Sequence, residues 1–121
     1  MENFIPENFR ESIAGVTDAE ALVAALQTER MTSFRINPSK IGKQQLTPVS
    51  WCETGYYLES RPLFTLDPLF HAGAYYVQEA ASMFLEQIIK PETTRPLRVL
   101  DLCAAPGGKT TLVASLLPAG S

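Results

Sequence analysis

Residues 97–117 read LRVLDLCAAPGGKTTLVASLL, and their order of apolar run, small-residue turn and helix-forming stretch restricts the fold more than any other feature of the chain. A run such as LRVLDLC has the composition of a strand buried inside a parallel sheet. Such a strand needs neighbours, because backbone N–H and C=O groups that are covered must be paired. Lys109–Leu117 follows as a helix, apolar at Leu112, Val113, Leu116 and Leu117. Strand, glycine turn and helix open a doubly wound α/β sheet, in which every further unit takes roughly 30 residues. A chain of 121 residues accommodates the first such unit and is too short for the rest. The expectation is therefore a truncated Rossmann-like unit at the end of the chain.

The turn itself, Ala104, Ala105, Pro106, Gly107 and Gly108, suits close approach of a ligand. Glycines let the backbone come near, and the unpaired amides that open a helix face outward to receive polar atoms. Asp101, at the end of the apolar run, adds a fixed negative charge. That charge is unhelpful beside a triphosphate but suits a ligand carrying an ammonium and a sulfonium, as S-adenosylmethionine does. A P-loop, GxxxxGK[ST], shares Gly108, Lys109 and Thr110, but its first glycine would fall at residue 103, which is Cys103. The dinucleotide fingerprint GxGxxG is also absent, since no glycine precedes Gly107 in the turn.

Upstream, the periodicities predict an α+β region. Pro6 and Glu7 open a short helix with Phe9 and Ile13 on one face, ended by Gly15. Thr17 and Glu20 form a capping box for a second helix running through Leu22, Ala25 and Leu26. From Thr32 the period changes to two, with Phe34 and Ile36 alternating with Ser33, Arg35 and Asn37, which predicts a half-buried strand stopped by Pro38. Val49–Glu59 reads as a second strand or a hairpin bent at Gly55, and Arg61–Pro68 as irregular. Ala74–Val77 is expected to be extended and Glu79–Ile89 helical, with Pro91 as the stop and PETTRP as a linker. The division falls near residue 95, giving an α+β region over 1–95 and the incomplete α/β stub over 96–121.

Charge bears on partners. The net charge of −3 argues against a nucleic-acid binder taken whole. Its distribution is uneven: Glu2, Glu7, Glu11, Asp18, Glu20 and Glu29 face only Arg10 in the first 29 residues, whereas Arg30, Arg35, Lys40 and Lys43 follow with no acid between them. Those four are the candidate RNA contacts, set against the plainer reading of a solvated strand and turn. The two cysteines, Cys52 and Cys103, lie far apart beside a single histidine, so neither a metal site nor a disulfide is expected. The first ten residues, MENFIPENFR, carry acids where a secretory leader carries positive charge, and no apolar run reaches the ~18 residues of a membrane span. A cytoplasmic protein is expected.

The stretch DLCAAPGGKTT, Asp101–Thr111, resembles the first cofactor motif of the Sun-type RNA (cytosine-5) methyltransferases, most like the bacterial RsmF-type enzymes of 16S ribosomal RNA. YYVQEAAS at Tyr75–Ser82 and FRINPSK at Phe34–Lys40 are similar to further motifs of that family, in the same order. The resemblance implies a class I methyltransferase fold and S-adenosylmethionine held by Asp101, Cys103, Ala104, Ala105, Pro106, Gly107, Gly108 and Lys109. For Gln78 and Glu79 the plainer role is to open a helix. The resemblance also implies a catalytic cysteine following a threonine or a proline. Cys52 follows Trp51 and Cys103 follows Leu102, so neither fits, and Cys52 reads as a small core residue. The expectation is an N-terminal fragment of a ribosomal RNA methyltransferase, inactive alone, with a non-catalytic RNA- or protein-binding module as the alternative.

Overall fold

The computed structural model describes residues 5–15, 18–89 and 94–121. The capping residue expected at Thr17, the stop at Lys90 and Pro91, and the first half of the expected linker lie outside them. Two compact units divide after Arg30, Met1–Arg30 and Met31–Ser121, so residues 96–121 fall in the same unit as the upstream sheet.

The first unit holds α1, Glu7–Ile13, and α2, Ala19–Gln27. Pro6 stands at the N-cap of α1 with extended backbone, the conformation it presets. The cap of α2 is Asp18, whose carboxylate accepts from the Ala21 amide at 3.0 Å. Val23 is the buried residue of α2.

The second unit is built on an antiparallel sheet with strand order β2-β1-β3. β1 is Thr32–Ile36 and β2 Gly55–Leu58, paired so that Phe34 faces Tyr56 and Arg35 faces Gly55. A 3-10 turn at Phe64–Leu66 lies within Arg61–Pro68, the stretch expected to be irregular, and the short α3, Pro68–His71, starts at its last residue. Asp67 caps α3 by accepting from the Leu69 amide at 2.9 Å. β3, Tyr75–Val77, returns along the other edge of β1, with Arg35 opposite Tyr76 and Ile36 opposite Tyr75. The expected helix over Glu79–Ile89 is split into α4, Ala80–Met83, and α5, Leu85–Ile88. At the join, the Phe84 and Gln87 amides bond three residues back, to Ala81 and Phe84, and this tighter winding interrupts the α-helix. α6, Gly108–Leu116, completes the unit.

Successive residues of β1 point to opposite faces of the sheet. Phe34 and Ile36 pack with Tyr56, Ile41, Leu58 and Tyr75 on one side. The other side carries Ser33 and Arg35, which the alternation placed in solvent. Both are buried, held under Gln78 and under Thr111 of α6 by hydrogen bonds, and Leu112 of α6 is 0% exposed. Val49, Cys52, Ala80 and Met83 form a second cluster there. Gly55 is a glycine for lack of room: a Cβ would lie 2.7 Å from Met83 Sδ and 3.0 Å from Val49 Cβ.

The strand expected over 97–103 is not formed. Leu100 and Leu102 are 80% and 86% exposed. No other strand among the described residues runs beside this segment, and a strand without a ladder partner has nothing to hold its extended backbone. The helix after it persists because it has a surface to cover.

Candidate cofactor-binding site

The turn from Asp101 to Lys109 is fixed from both ends. Asp101 Oδ1 accepts from the Cys103 amide at 3.0 Å, and Oδ2 accepts from the Thr110 hydroxyl at 2.6 Å. The same hydroxyl lies 3.2 Å from the Ala104 carbonyl, which can only share its single proton with Asp101. Thr110 thus pins the turn back onto the helix that follows. Donation from Thr110, then from the Cys103 amide, with Lys109 nearby, holds the Asp101 carboxyl below the usual aspartate range. Asp101 is therefore an anion throughout the neutral range, with each oxygen already in one hydrogen bond.

Gly107 caps α6 with φ of 106°, a left-handed conformation that other residues adopt only under strain, and nothing lies within 4 Å of where its Cβ would be. Gly108 meets the sheet: a Cβ there would lie 3.2 Å from Tyr76 Cε1 and 3.6 Å from Gln78 Nε2. The Tyr76 hydroxyl donates to the Pro106 carbonyl at 3.0 Å, a strut from β3 to the turn. Cys103, Ala104, Ala105, Pro106 and Lys109 are exposed along the turn.

Behind the turn lies a polar network reaching to β1. The Arg35 Nε donates to Gln78 Oε1 at 3.2 Å, and its Nη2 donates to the Thr111 hydroxyl at 2.7 Å. The Ser33 hydroxyl donates to the Gln78 carbonyl at 2.6 Å. Gln78 is 8% exposed, and its Nε2 is a buried donor without a partner. An orphaned buried donor beside the opening of a helix marks a place where an acceptor would be stabilised. Desolvation lowers the Arg35 pKa, against opposing pulls from Cys52, Glu86 and Tyr76.

Of the residues expected to contact RNA, Arg30, Lys40 and Lys43 are exposed. The Lys40 ammonium donates to the Ala72 carbonyl. Arg35 is a correction: at 4% exposure, with its guanidinium bonded to Gln78 and Thr111, it is an interior residue. Its side of β1 is roofed by α6, which strand alternation alone does not reveal. The bracing roles of Thr110, Thr111 and Tyr76 were not expected from the motifs that contain them, though the hydroxyl pair just inside a helix N-terminus was a usable signal. Gln78 proves more than a helix opener, and Glu79 is exposed at the N-cap of α4 with no side-chain cap bond. Cys52 is buried beside Val49 and Met83, and burial together with Glu86 pushes its thiol upward in pKa, as suits a core residue.

Asp101 offers an ionised carboxylate, Gly107 open space, and Gln78 an unused donor. Among the described residues no cluster of histidine, cysteine and acidic side chains has the arrangement of a metal site, and none of their helices is long and apolar enough to cross a membrane.

Residues 5–80 match the family described as the N-terminal domain of 16S rRNA methyltransferase RsmF. Proteins named ribosomal RNA small subunit methyltransferase F are similar over 93% of the chain. Those of Enterobacter sp. (strain 638) and Vibrio cholerae serotype O1 (strain M66-2) are each 35% identical, and that of Escherichia coli O139:H28 is 32% identical. The chain spans only 27–28% of these relatives' own length.

Proposed function

The chain belongs to the family of the N-terminal domain of 16S rRNA methyltransferase RsmF, and from that membership we propose that it is the N-terminal part of an S-adenosylmethionine-dependent RNA (cytosine-5) methyltransferase of the small ribosomal subunit, working in the cytoplasm. The observation that carries the cofactor reading is the geometry at the start of α6. There a locked anionic Asp101, a left-handed Gly107 and the unpartnered Gln78 Nε2 surround one turn. When bound, the cofactor supplies an electrophilic methyl group.

The chain's own residues bind and orient. Asp101 fixes the turn and presents negative charge to a cationic ligand, while the amides of Gly107, Gly108 and Lys109 receive polar atoms at the positive end of the helix. Tyr76 and Thr110 hold the turn in place through the Pro106 carbonyl and Asp101. Residues 96–121 are then the opening of the methyltransferase domain, whose further strands would pair with 97–103. Neither cysteine serves as the nucleophile that adds to a pyrimidine: Cys52 is buried with a raised pKa, and Cys103 sits in the cofactor turn. The chain alone is accordingly without methyl transfer, and labelled transfer to 16S ribosomal RNA by this chain would contradict that.

Titration with S-adenosylmethionine, followed by amide NMR, tests the cofactor site. Shifts are expected at Cys103–Lys109, weakened about tenfold or more in affinity by Asp101→Asn. Saturating cofactor without a shift in that turn would overturn the assignment. The alternative, a non-catalytic RNA- or protein-binding module, loses one of its four basic residues with the burial of Arg35.

A further inference from the structure

The turn that opens α6 is gripped at three successive residues by side chains that come from the sheet or are held by it. The Tyr76 hydroxyl of β3 donates to the Pro106 carbonyl at 3.0 Å. Thr111 reaches the next carbonyl: its hydroxyl lies 2.8 Å from the Gly107 oxygen and 3.3 Å from that of Gly108. Against Gly108 stand Tyr76 and Gln78, so close that a Cβ there would lie 3.2 Å from Tyr76 Cε1 and 3.6 Å from Gln78 Cδ and Nε2.

Arg35 ties two of these grips together. Its Nη2 donates to the Thr111 hydroxyl at 2.7 Å and its Nε to Gln78 Oε1 at 3.2 Å. A hydroxyl has one proton to give, and a guanidinium can only donate. Thr111 therefore accepts from Arg35 and sends its own proton to a carbonyl, the nearer being that of Gly107. A charged donor at the head of such a chain strengthens the onward bond, because linked hydrogen bonds polarise one another. The Gln78 amide is fixed in the same way: Oε1 is taken by Arg35, which leaves Nε2 on the side of Gly108. Gly107 needs such a hold. Its φ of 106° is one of several conformations open to a glycine, and nothing stands within 4 Å of its Cβ position to select it.

We infer that Arg35 is a positioning residue for the cofactor turn: through Thr111 and Gln78 it presets the Gly107–Gly108 backbone, and with it the amides that open α6, before any ligand arrives. A turn already in its bound shape binds without the cost of ordering it. Cofactor affinity is then set in part from β1, 76 residues before Thr111. The inference rests on the proposed cofactor reading for its ligand, whereas the preset turn is a property of the free chain.

The test follows the Gly107 and Gly108 amide resonances of the 121-residue chain, first free and then titrated with S-adenosylmethionine. Thr111→Val keeps the side chain's outline and removes the hydroxyl. It is expected to move both free-state resonances toward their unstructured values and to weaken binding about tenfold. Thr111→Ser returns the hydroxyl and should restore both readouts. Arg35→Lys keeps the charge without the two-pronged donor, and where it folds it should match Thr111→Val. Ile36→Val trims the opposite face of β1, lowering stability without reaching the network, and should change neither readout. Unmoved glycine resonances or undiminished affinity in Thr111→Val, or an equal loss of affinity in Ile36→Val, would overturn the inference. A parent chain that binds no S-adenosylmethionine overturns the cofactor reading, and the free-state resonances alone then decide whether Arg35 presets the turn.

Discussion

Thr32–Ile36 and residues 97–103 both carry strand-forming sequences, TSFRI and LRVLDLC, yet only the first is a strand. β1 has a ladder on each side, to β2 and to β3, and aromatic residues stacked over one face, with Phe34 5.9 Å from Tyr56 and 5.4 Å from Tyr75. Residues 97–103 have no ladder among the described residues and leave Val99, Leu100 and Leu102 in solvent. The difference teaches that strand propensity names a candidate and pairing makes the strand. It also explains why the helix after 97–103 survives: α6 buries Leu112 against α4 and α5 and needs no sheet of its own.

The contrast can be sharpened first by thiol chemistry, where the effect is nearly all or none. Alkylation of the native chain is expected to modify exposed Cys103 and spare buried Cys52, with both reacting in urea. Because the folded Cys52 thiol has a raised pKa, the unfolded chain gives up that proton first, so stability should fall as pH rises above the ordinary thiol range. Native labelling of Cys52 at a rate near that of Cys103 would break the comparison. Next, Ile36→Ala in β1 should cost about 2–5 kcal/mol in urea unfolding, as a buried large-to-small change does. Gly55→Ala should cost about 1–3 kcal/mol, since Met83 and Val49 must move. Thr111→Val, which removes an acceptor from Arg35, should cost about 1 kcal/mol. Leu102→Ser, in the exposed segment, should stay within about 0.5 kcal/mol of the parent.

What the sequence made legible follows from local rules. The helical periods of α1 and α2, the two-residue period of β1 and the glycine-opened α6 were each written within a few residues. The α+β class followed from them, and the family resemblance from the motifs at Phe34–Lys40, Tyr75–Ser82 and Asp101–Thr111. What stayed hidden depended on partners distant in sequence. Ser33 and Arg35 read as solvent-facing because their covering residues, Gln78 and Thr111, come 45 and 76 residues later. α3 was concealed by its length and by the prolines around it, and the break at Phe84 by an unbroken helical pattern. At the candidate site the backbone features were readable from Gly107 and Gly108. The bracing of the turn by Thr110 and Tyr76 needed the tertiary structure.

Amide hydrogen exchange across the chain tests the central comparison most directly, because protection reports paired backbone residue by residue. The account predicts slow exchange for the ladder amides of β1 and exchange near the unstructured rate for 98–100 and 102. Protection of those residues comparable to β1 would contradict it, by showing that the segment finds a ladder within this chain.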